Sequence, residues 1–121
     1  MTTYDIHALA EEDTCYLTTT GRVSGRPHTI EIWFALAGQT LYLLAGGREN
    51  ADWVRNVRHF PQVQVKISEM VFSGKARIIP ASSEEDALAR RLVFEKYTPR
   101  SSDDLRAWSR QSLPVAIDLD G

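Results

Sequence analysis

The chain has 121 residues, a net charge of −2, 43% hydrophobic and 25% charged residues, which predicts a single globular domain over residues 1–121. No apolar stretch approaches the roughly 18 residues of a membrane span, and Cys15 is the only cysteine, which excludes an intramolecular disulfide. Residues 1–13 lack the basic region and apolar run of a secretory signal, so we expect a cytoplasmic protein.

The charges are unevenly distributed along the chain. Residues 22–77 contain eight Lys/Arg and four Asp/Glu, whereas the two ends together contain six Lys/Arg and twelve Asp/Glu. A basic middle between acidic ends favours an anionic ligand bound by the middle. The alternative is that these charges are scattered over a solvated surface.

Three strands are predicted in the first part of the chain. Cys15–Thr20 is rich in β-branched and aromatic residues, and residues 21–26 form a glycine-containing turn. Pro27 suits the start of the next strand, predicted over residues 28–36, and Thr40–Ala45 follows. Because side chains alternate along a strand, one face of residues 28–36 carries Ile30, Ile32, Phe34 and Leu36.

A helix is predicted after the third strand. Residues 46–50 break the strand pattern, and Asn50 is predicted to cap the helix, with Asp52 in its first turn. Pro61 ends it. The apolar residues at helical spacing are Trp53, Val57 and Phe60.

The second half contains three further strands and two helices. Residues 62–67 alternate polar and apolar, and residues 70–79 are the predicted partner strand. Ser83 followed by Asp86 resembles a capping box. A short helix over residues 103–110 precedes a last strand, Leu113–Leu119. The helix after Ser83 presents two apolar rows, Leu88/Leu92 and Ala89/Val93/Tyr97.

This order predicts a mainly β (α+β) fold. Six short, mostly antiparallel strands, with a helix after strand 3 and helices near the C-terminus, favour a small β-barrel, since closure hides strand edges. A two-layer α+β sandwich is the alternative.

The turn TTTGRVSGRPH, residues 18–28, has more charge than a hairpin requires. Arg22 and Arg26 flank a Ser24-Gly25 bend, and His28 begins the next strand. Turn amides, a hydroxyl and arginines together suit a phosphate. The alternative is a hairpin with solvated arginines.

A second candidate anion site is the segment GGRENADW, residues 46–53. Two glycines and Arg48 lead into a helix N-terminus, where free N–H groups favour anions. Asn56 lies at the edge of the helix's apolar arc and can reach a pocket, whereas Arg55 and Arg58 are expected to be solvated. The alternative is an ordinary strand-to-helix loop.

Other catalytic templates are not found in the sequence. The histidines have no metal-ligand spacing, so no metal site is predicted, and no acid–base dyad stands out. If the chain is an enzyme, a cofactor is expected to carry the reaction. Nucleic-acid binding is not expected, because Trp33 and Tyr42 are the only candidate stacking platforms.

Three segments in this order resemble the deazaflavin (F420)-dependent nitroreductase family, split β-barrel proteins related to pyridoxamine 5′-phosphate oxidase-like flavoproteins. They are TTTGRVSGRPHTIEIWF, LYLLAGG and DWVRNVRHFPQVQVKI. The resemblance covers residues 18–119 and differs from the family pattern at His28, where the family has an arginine. The tyrosines that several relatives have before the last strand are also absent here.

The resemblance implies a homodimer that binds coenzyme F420 and passes hydride to a small-molecule electron acceptor, a nitroaromatic, quinone or enone. The turn residues would hold the phosphate-bearing tail, the segment from Ala45 to Arg48 would line the deazaflavin, and Asn56 would contact it from the helix. The implied cofactor-binding residues are Thr20, Arg22, Ser24, Gly25, Arg26, His28, Ala45, Gly46, Gly47, Arg48, Asn50 and Asn56. An FMN-binding relative and a non-catalytic cofactor-binding protein are the alternatives.

Overall fold

The computed structural model describes residues 6–120, which contain seven strands and three α-helices. A 3₁₀ helix over Ile6–Leu9 precedes the first strand. The strands are β1 (Cys15–Thr20), β2 (Pro27–Ile32), β3 (Ala35–Ala37), β4 (Thr40–Ala45), β5 (Gln62–Ile67), β6 (Met70–Ile78) and β7 (Leu113–Leu119). The helices are α1 (Asp52–His59), α2 (Glu84–Tyr97) and α3 (Arg106–Gln111).

All seven strands form one antiparallel sheet in the order β2-β1-β5-β6-β7-β4-β3. The two edge strands, β2 and β3, are consecutive in the chain and are separated only by Trp33 and Phe34. The sheet must therefore curl until its edges meet at this corner, although the two edges do not pair with each other. The result is the predicted split β-barrel.

The predicted count of six strands was wrong by one, because the strand expected over residues 28–36 breaks at Trp33-Phe34. Here the backbone pairs with α2 instead of a strand: the Phe34 N–H donates to Tyr97 Oη at 3.0 Å, and Lys96 Nζ donates to the Phe34 carbonyl at 2.9 Å. Trp33 stacks on Tyr97 with ring centroids 4.3 Å apart. Burial lowers the pKa of Lys96 to about 8.

The barrel interior is filled by alternate residues of the strands. Cys15 and Leu17 of β1, Val65 of β5 and Ile117 of β7 are all fully buried. The four residues predicted to share a face, Ile30, Ile32, Phe34 and Leu36, all pack in or against this one core despite the break. The same side of the chain therefore faces the barrel interior before and after the break at Trp33-Phe34.

The sequence predicted the N-terminal cap of α2 but not that of α1. Ser83 caps α2 as predicted, since its hydroxyl accepts from the Asp86 N–H at 3.1 Å. The prediction that Asn50 caps α1 was wrong: Ala51 occupies the cap position, because residues 48–50 form a 3₁₀ turn instead. Within residues 6–120, no helix has the length and apolarity of a membrane span.

Candidate functional site

The turn between β1 and β2 is held by its own backbone. The Gly21 N–H donates to the Arg26 carbonyl, and the Gly25 N–H donates to the Gly21 carbonyl, both at 2.8 Å. Gly25 has a φ of +71°, which favours glycine. The Ser24 hydroxyl accepts from the Arg26 N–H at 3.1 Å, so the serine side chain is fixed inside the turn.

Gly21 forms the floor of a small polar cradle. A Cβ at this position would lie 2.6 Å from both His28 Nε2 and Ser24 Oγ, so only glycine allows these two side chains to close over the backbone. Ser24 Oγ and His28 Nε2 are 3.4 Å apart. The cradle places a hydroxyl and an imidazole beside the exposed turn, which is a donor set suited to an anion.

Helix α1 connects to this turn through Asn56, which is 4% exposed. Its Oδ1 accepts from the Arg22 N–H at 3.1 Å and from Arg22 Nη1 at 2.9 Å, while its Nδ2 donates to Thr19 Oγ1 at 3.1 Å. Asp52, one helical turn earlier, forms an ion pair with Arg22 at 3.3 Å. The guanidinium group is therefore held in place, with its side chain still 30% exposed.

These groups surround a cleft of about 490 Å³ between the turn, β2 and α1. Its walls combine hydroxyl, amide and charged groups with the apolar faces of Ile30 and Trp53. Such a mixture suits a ligand that carries both an anionic group and an apolar part. The lining residues are Thr19, Gly21, Arg22, Val23, Ser24, His28, Thr29, Ile30, Asp52, Trp53 and Asn56.

The second predicted cluster lies elsewhere, at the end of β4. Ala45 is buried, and Gly46 lies against Trp108, whose Nε1 would be 3.2 Å from a Cβ at this position. Arg48 adopts a φ of +53° and donates from Nη1 to the Gln111 carbonyl at 2.5 Å, so it binds the end of α3. Gly47 packs against Ala51, and Asn50 Oδ1 accepts from Arg55 at 3.3 Å.

The cleft thus brings together four of the predicted residues: Arg22, Ser24, His28 and Asn56. Gly25 and Arg26 lie in the same turn without lining the cleft, and Thr20 faces a neighbouring groove beside Pro27. The residues from Ala45 to Asn50 do not line it.

Sequence reasoning missed several lining residues, of which Asp52 is the clearest. It lies four residues before Asn56 and therefore on the same helix face, a spacing that would have identified it. Thr29 and Ile30 follow His28 directly on β2, but nothing local distinguishes them from other strand residues.

The single cysteine, Cys15, is buried in the barrel core. Burial raises the pKa of the Cys15 thiol to about 12, so it is not a thiolate nucleophile at neutral pH. Within residues 6–120, no three His, Cys, Asp or Glu side chains cluster in a way that could hold a metal ion.

Comparison with protein-family models gives a match that covers nearly the whole chain. The model of the F420H(2)-dependent quinone reductase family matches residues 4–120. The match spans the cleft, the loop after β4 and both C-terminal helices.

Solved structures share the fold. An F420H2-dependent reductase is 23% identical, with 89% of this chain and 94% of that chain covered and a TM-score of 0.70. A protein solved as a domain-swapped dimer is 23% identical, with 89% and 80% covered and a TM-score of 0.70. A Listeria innocua protein named provisionally as a pyridoxamine 5′-phosphate oxidase is 18% identical, with 96% and 91% covered and a TM-score of 0.69.

Proposed function

We propose that this chain, which belongs to the F420H(2)-dependent quinone reductase family, is an enzyme that reduces a small quinone, nitroaromatic or enone with reduced coenzyme F420. When bound, the deazaflavin supplies the hydride. The chain's own residues bind, orient and shield the reactants. We also propose that residues 1–121 form one cofactor-binding domain.

The observation that carries this proposal is the cleft beside the β1–β2 turn. Arg22 is fixed by Asn56 and Asp52, and Ser24 and His28 close over Gly21. A cationic group that is already oriented binds an anion without losing its own side-chain freedom. This donor set fits the phosphate of the cofactor, with Arg26 and Gly25 completing the turn and Thr20 flanking it.

The position of the ring system follows from the family resemblance. Ala45, Gly46, Gly47, Arg48 and Asn50 would border the deazaflavin, and α1 begins immediately after them and leads back to Asn56 in the cleft. The helix thus links the two predicted clusters. We propose that the cofactor lies along α1, with its phosphate at the turn.

We also propose that the protein is a cytoplasmic homodimer. The evidence for a dimer is indirect: the family resemblance implies one, and a structure with the same fold was solved as a domain-swapped dimer. The described residues carry exposed apolar side chains on the outer sheet face, Tyr16 at 45% and Val71 at 59% exposure. A second subunit would cover such side chains.

A cofactor titration tests the proposal. We would titrate the purified protein with F420 and with FMN at low and moderate salt, following tryptophan fluorescence, and then assay hydride transfer to a quinone, a nitroaromatic and an enone. We expect saturable F420 binding, turnover with at least one acceptor, and weaker binding in Arg26→Ala. Arg106→Ala removes an exposed arginine that does not line the cleft and serves as the control.

The alternatives give different results. Binding of FMN without F420 would assign the chain to the FMN-dependent branch. F420 binding without turnover would indicate a cofactor carrier. Binding of neither would leave only the fold in common with the family.

A further inference from the structure

Lys96, near the end of α2, is one of three lysines in the chain, and its surroundings differ from those of the other two. Lys66 on β5 and Lys75 on β6 are exposed, whereas Lys96 is half-buried at the corner between β2 and β3. Its Nζ lies 3.6 Å from the centroid of the Phe34 ring and donates to the Phe34 carbonyl at 2.9 Å. The amine is therefore held against an aromatic ring and a neutral oxygen.

Among the described residues, no carboxylate serves as a counter-ion for this amine, since Lys96 forms no ion pair there. The carboxylates of Glu11 and Asp13 pair instead with Arg100, at 2.8 Å and 2.5 Å. Burial, and then the like charge of Arg100, lower the pKa of Lys96 to about 8. The groups that act on this pKa in the opposite direction are Glu11, Cys15 and Asp13.

An amine in these surroundings is a nucleophile near neutral pH. Only the unprotonated amine attacks an electrophile, and at about pH 7.5 a pKa of about 8 leaves roughly a quarter of Lys96 unprotonated. A lysine with the usual pKa of about 10.4 is only about 0.1% unprotonated at the same pH. One N–H of the neutral amine can still donate to the Phe34 carbonyl while the lone pair forms a new bond. The Tyr97 hydroxyl at the same carbonyl stays protonated, because burial raises its pKa to about 12.

We propose that Lys96 is a site of acylation by small acyl phosphates. The Nζ lone pair attacks the acyl carbon, so that an N–C bond forms and the acyl C–O bond breaks. The phosphate leaves with the electrons of that bond and takes up the proton that the amine loses. The resulting amide carries no positive charge over the Phe34 ring and adds an acyl group at the corner, which weakens the contact between α2 and Phe34. This site does not depend on the proposed function.

The test treats the folded full chain with acetyl phosphate and measures the acetylation rate of each lysine by peptide mass spectrometry. Lys66 and Lys75 are internal controls, because both are exposed. At about pH 7.5 we expect Lys96 to react about tenfold faster than either control, since its larger unprotonated fraction outweighs its lower basicity and its partial burial. The difference should disappear in guanidinium chloride, where unfolding exposes all three lysines alike.

Two results would overturn the proposed site. Acetylation of Lys96 at or below the rate of the two controls in the folded protein would show that the corner shields the amine instead of activating it. A faster rate at Lys96 that persists in the unfolded chain would show that the fold is not its cause.

Thermal melting tests the effect on the corner. Lys96→Arg keeps the positive charge but offers no amine for acetylation at this position. After treatment with acetyl phosphate, the wild type should melt a few degrees lower than before, whereas Lys96→Arg should keep the melting temperature that it has untreated. Equal shifts in both proteins would overturn the weakening of the contact with Phe34.

Discussion

The two helical faces of the barrel use arginine for opposite purposes. On the α2–α3 face, which comprises α2, α3 and the strand residues that they contact, Arg77 and Arg90 each bind carboxylates. On the α1 face, which comprises α1 and the β1–β2 turn, Arg26, Arg55 and Arg58 form no ion pair within the described residues. Arg22 is paired there, with an aspartate that is 85% exposed.

These contacts distinguish arginines that stabilise the fold from arginines that can bind a ligand. An arginine that joins several carboxylates and carbonyls of its own chain supports the fold, because its loss leaves those polar groups unsatisfied. An arginine with free donors adds little to stability and attracts anions. Mutations on the α2–α3 face should therefore change folding, and those on the α1 face should change binding.

The largest effect is expected for Arg90→Ala on the α2–α3 face. Arg90 Nε donates to Asp86, and Nη1 donates to the carbonyls of Ser109 at 2.8 Å and Ser112 at 2.8 Å. Its loss leaves a buried carboxylate and the end of α3 without their donor, so the free energy of unfolding should fall by about 3 kcal/mol. Denaturant unfolding measures this. The neighbouring exposed Arg91→Ala should cost less than about 1 kcal/mol, and an equal loss in both would contradict the comparison.

Tyr97→Phe tests the corner between β2 and β3. The Tyr97 hydroxyl donates to the Asp13 carbonyl at 2.6 Å and accepts from the Phe34 N–H at 3.0 Å. Phenylalanine keeps the stacking on Trp33 but leaves the Phe34 N–H unsatisfied, which should destabilise the fold by about 2 kcal/mol in urea unfolding. Tyr16→Phe, on the outer sheet face, is the control. A loss within error of that control would show that the Tyr97 hydroxyl does not stabilise the corner.

Arg22→Ala should give the opposite pattern on the α1 face. We expect cofactor affinity to fall by roughly 1–3 kcal/mol, because a charge-assisted phosphate bond is lost. Stability should change by less than about 1 kcal/mol, since the Arg22 backbone N–H keeps its bond to Asn56 and the aspartate partner is exposed. Calorimetric titration and thermal melting of the same sample measure both. A strong drop in melting temperature with unchanged affinity would make Arg22 structural.

The smallest expected effect is a change in acid stability. Arg77 hydrogen bonds lower the pKa of Glu85 and of Asp118 below their usual ranges. Because the folded-state pKa values lie below the unfolded ones, this stabilisation is complete above the unfolded values of about 4 and is lost as the pH falls through the folded values. Arg77→Met should remove about 1 kcal/mol or less of this pH-dependent stability, given the exposure of the groups. Unfolding curves from pH 6 to about pH 2 measure it; an unchanged pH dependence would contradict the assignment.

Most of the fold could be predicted from local pattern. The alternation in β5, the glycine turn after β1 and the Ser83 cap each depend on neighbouring residues, and all three lie where they were expected. The break at Trp33-Phe34 could not be predicted in this way. Its backbone groups are satisfied by Lys96 and Tyr97, more than 60 residues away in sequence.

The candidate site likewise combines features that local sequence predicts with contacts that depend on the whole fold. Its components could be predicted from local pattern: a glycine turn that exposes Arg22, Ser24 and His28, and a helix that carries Asn56, because turn chemistry and helical period are local. Which arginines form ion pairs depends on the packing of the whole chain. Packing joins Arg22 to Asn56 across 34 residues and Arg48 to the end of α3, because hydrogen bonds and ion pairs between distant residues depend on distances that only the folded chain sets.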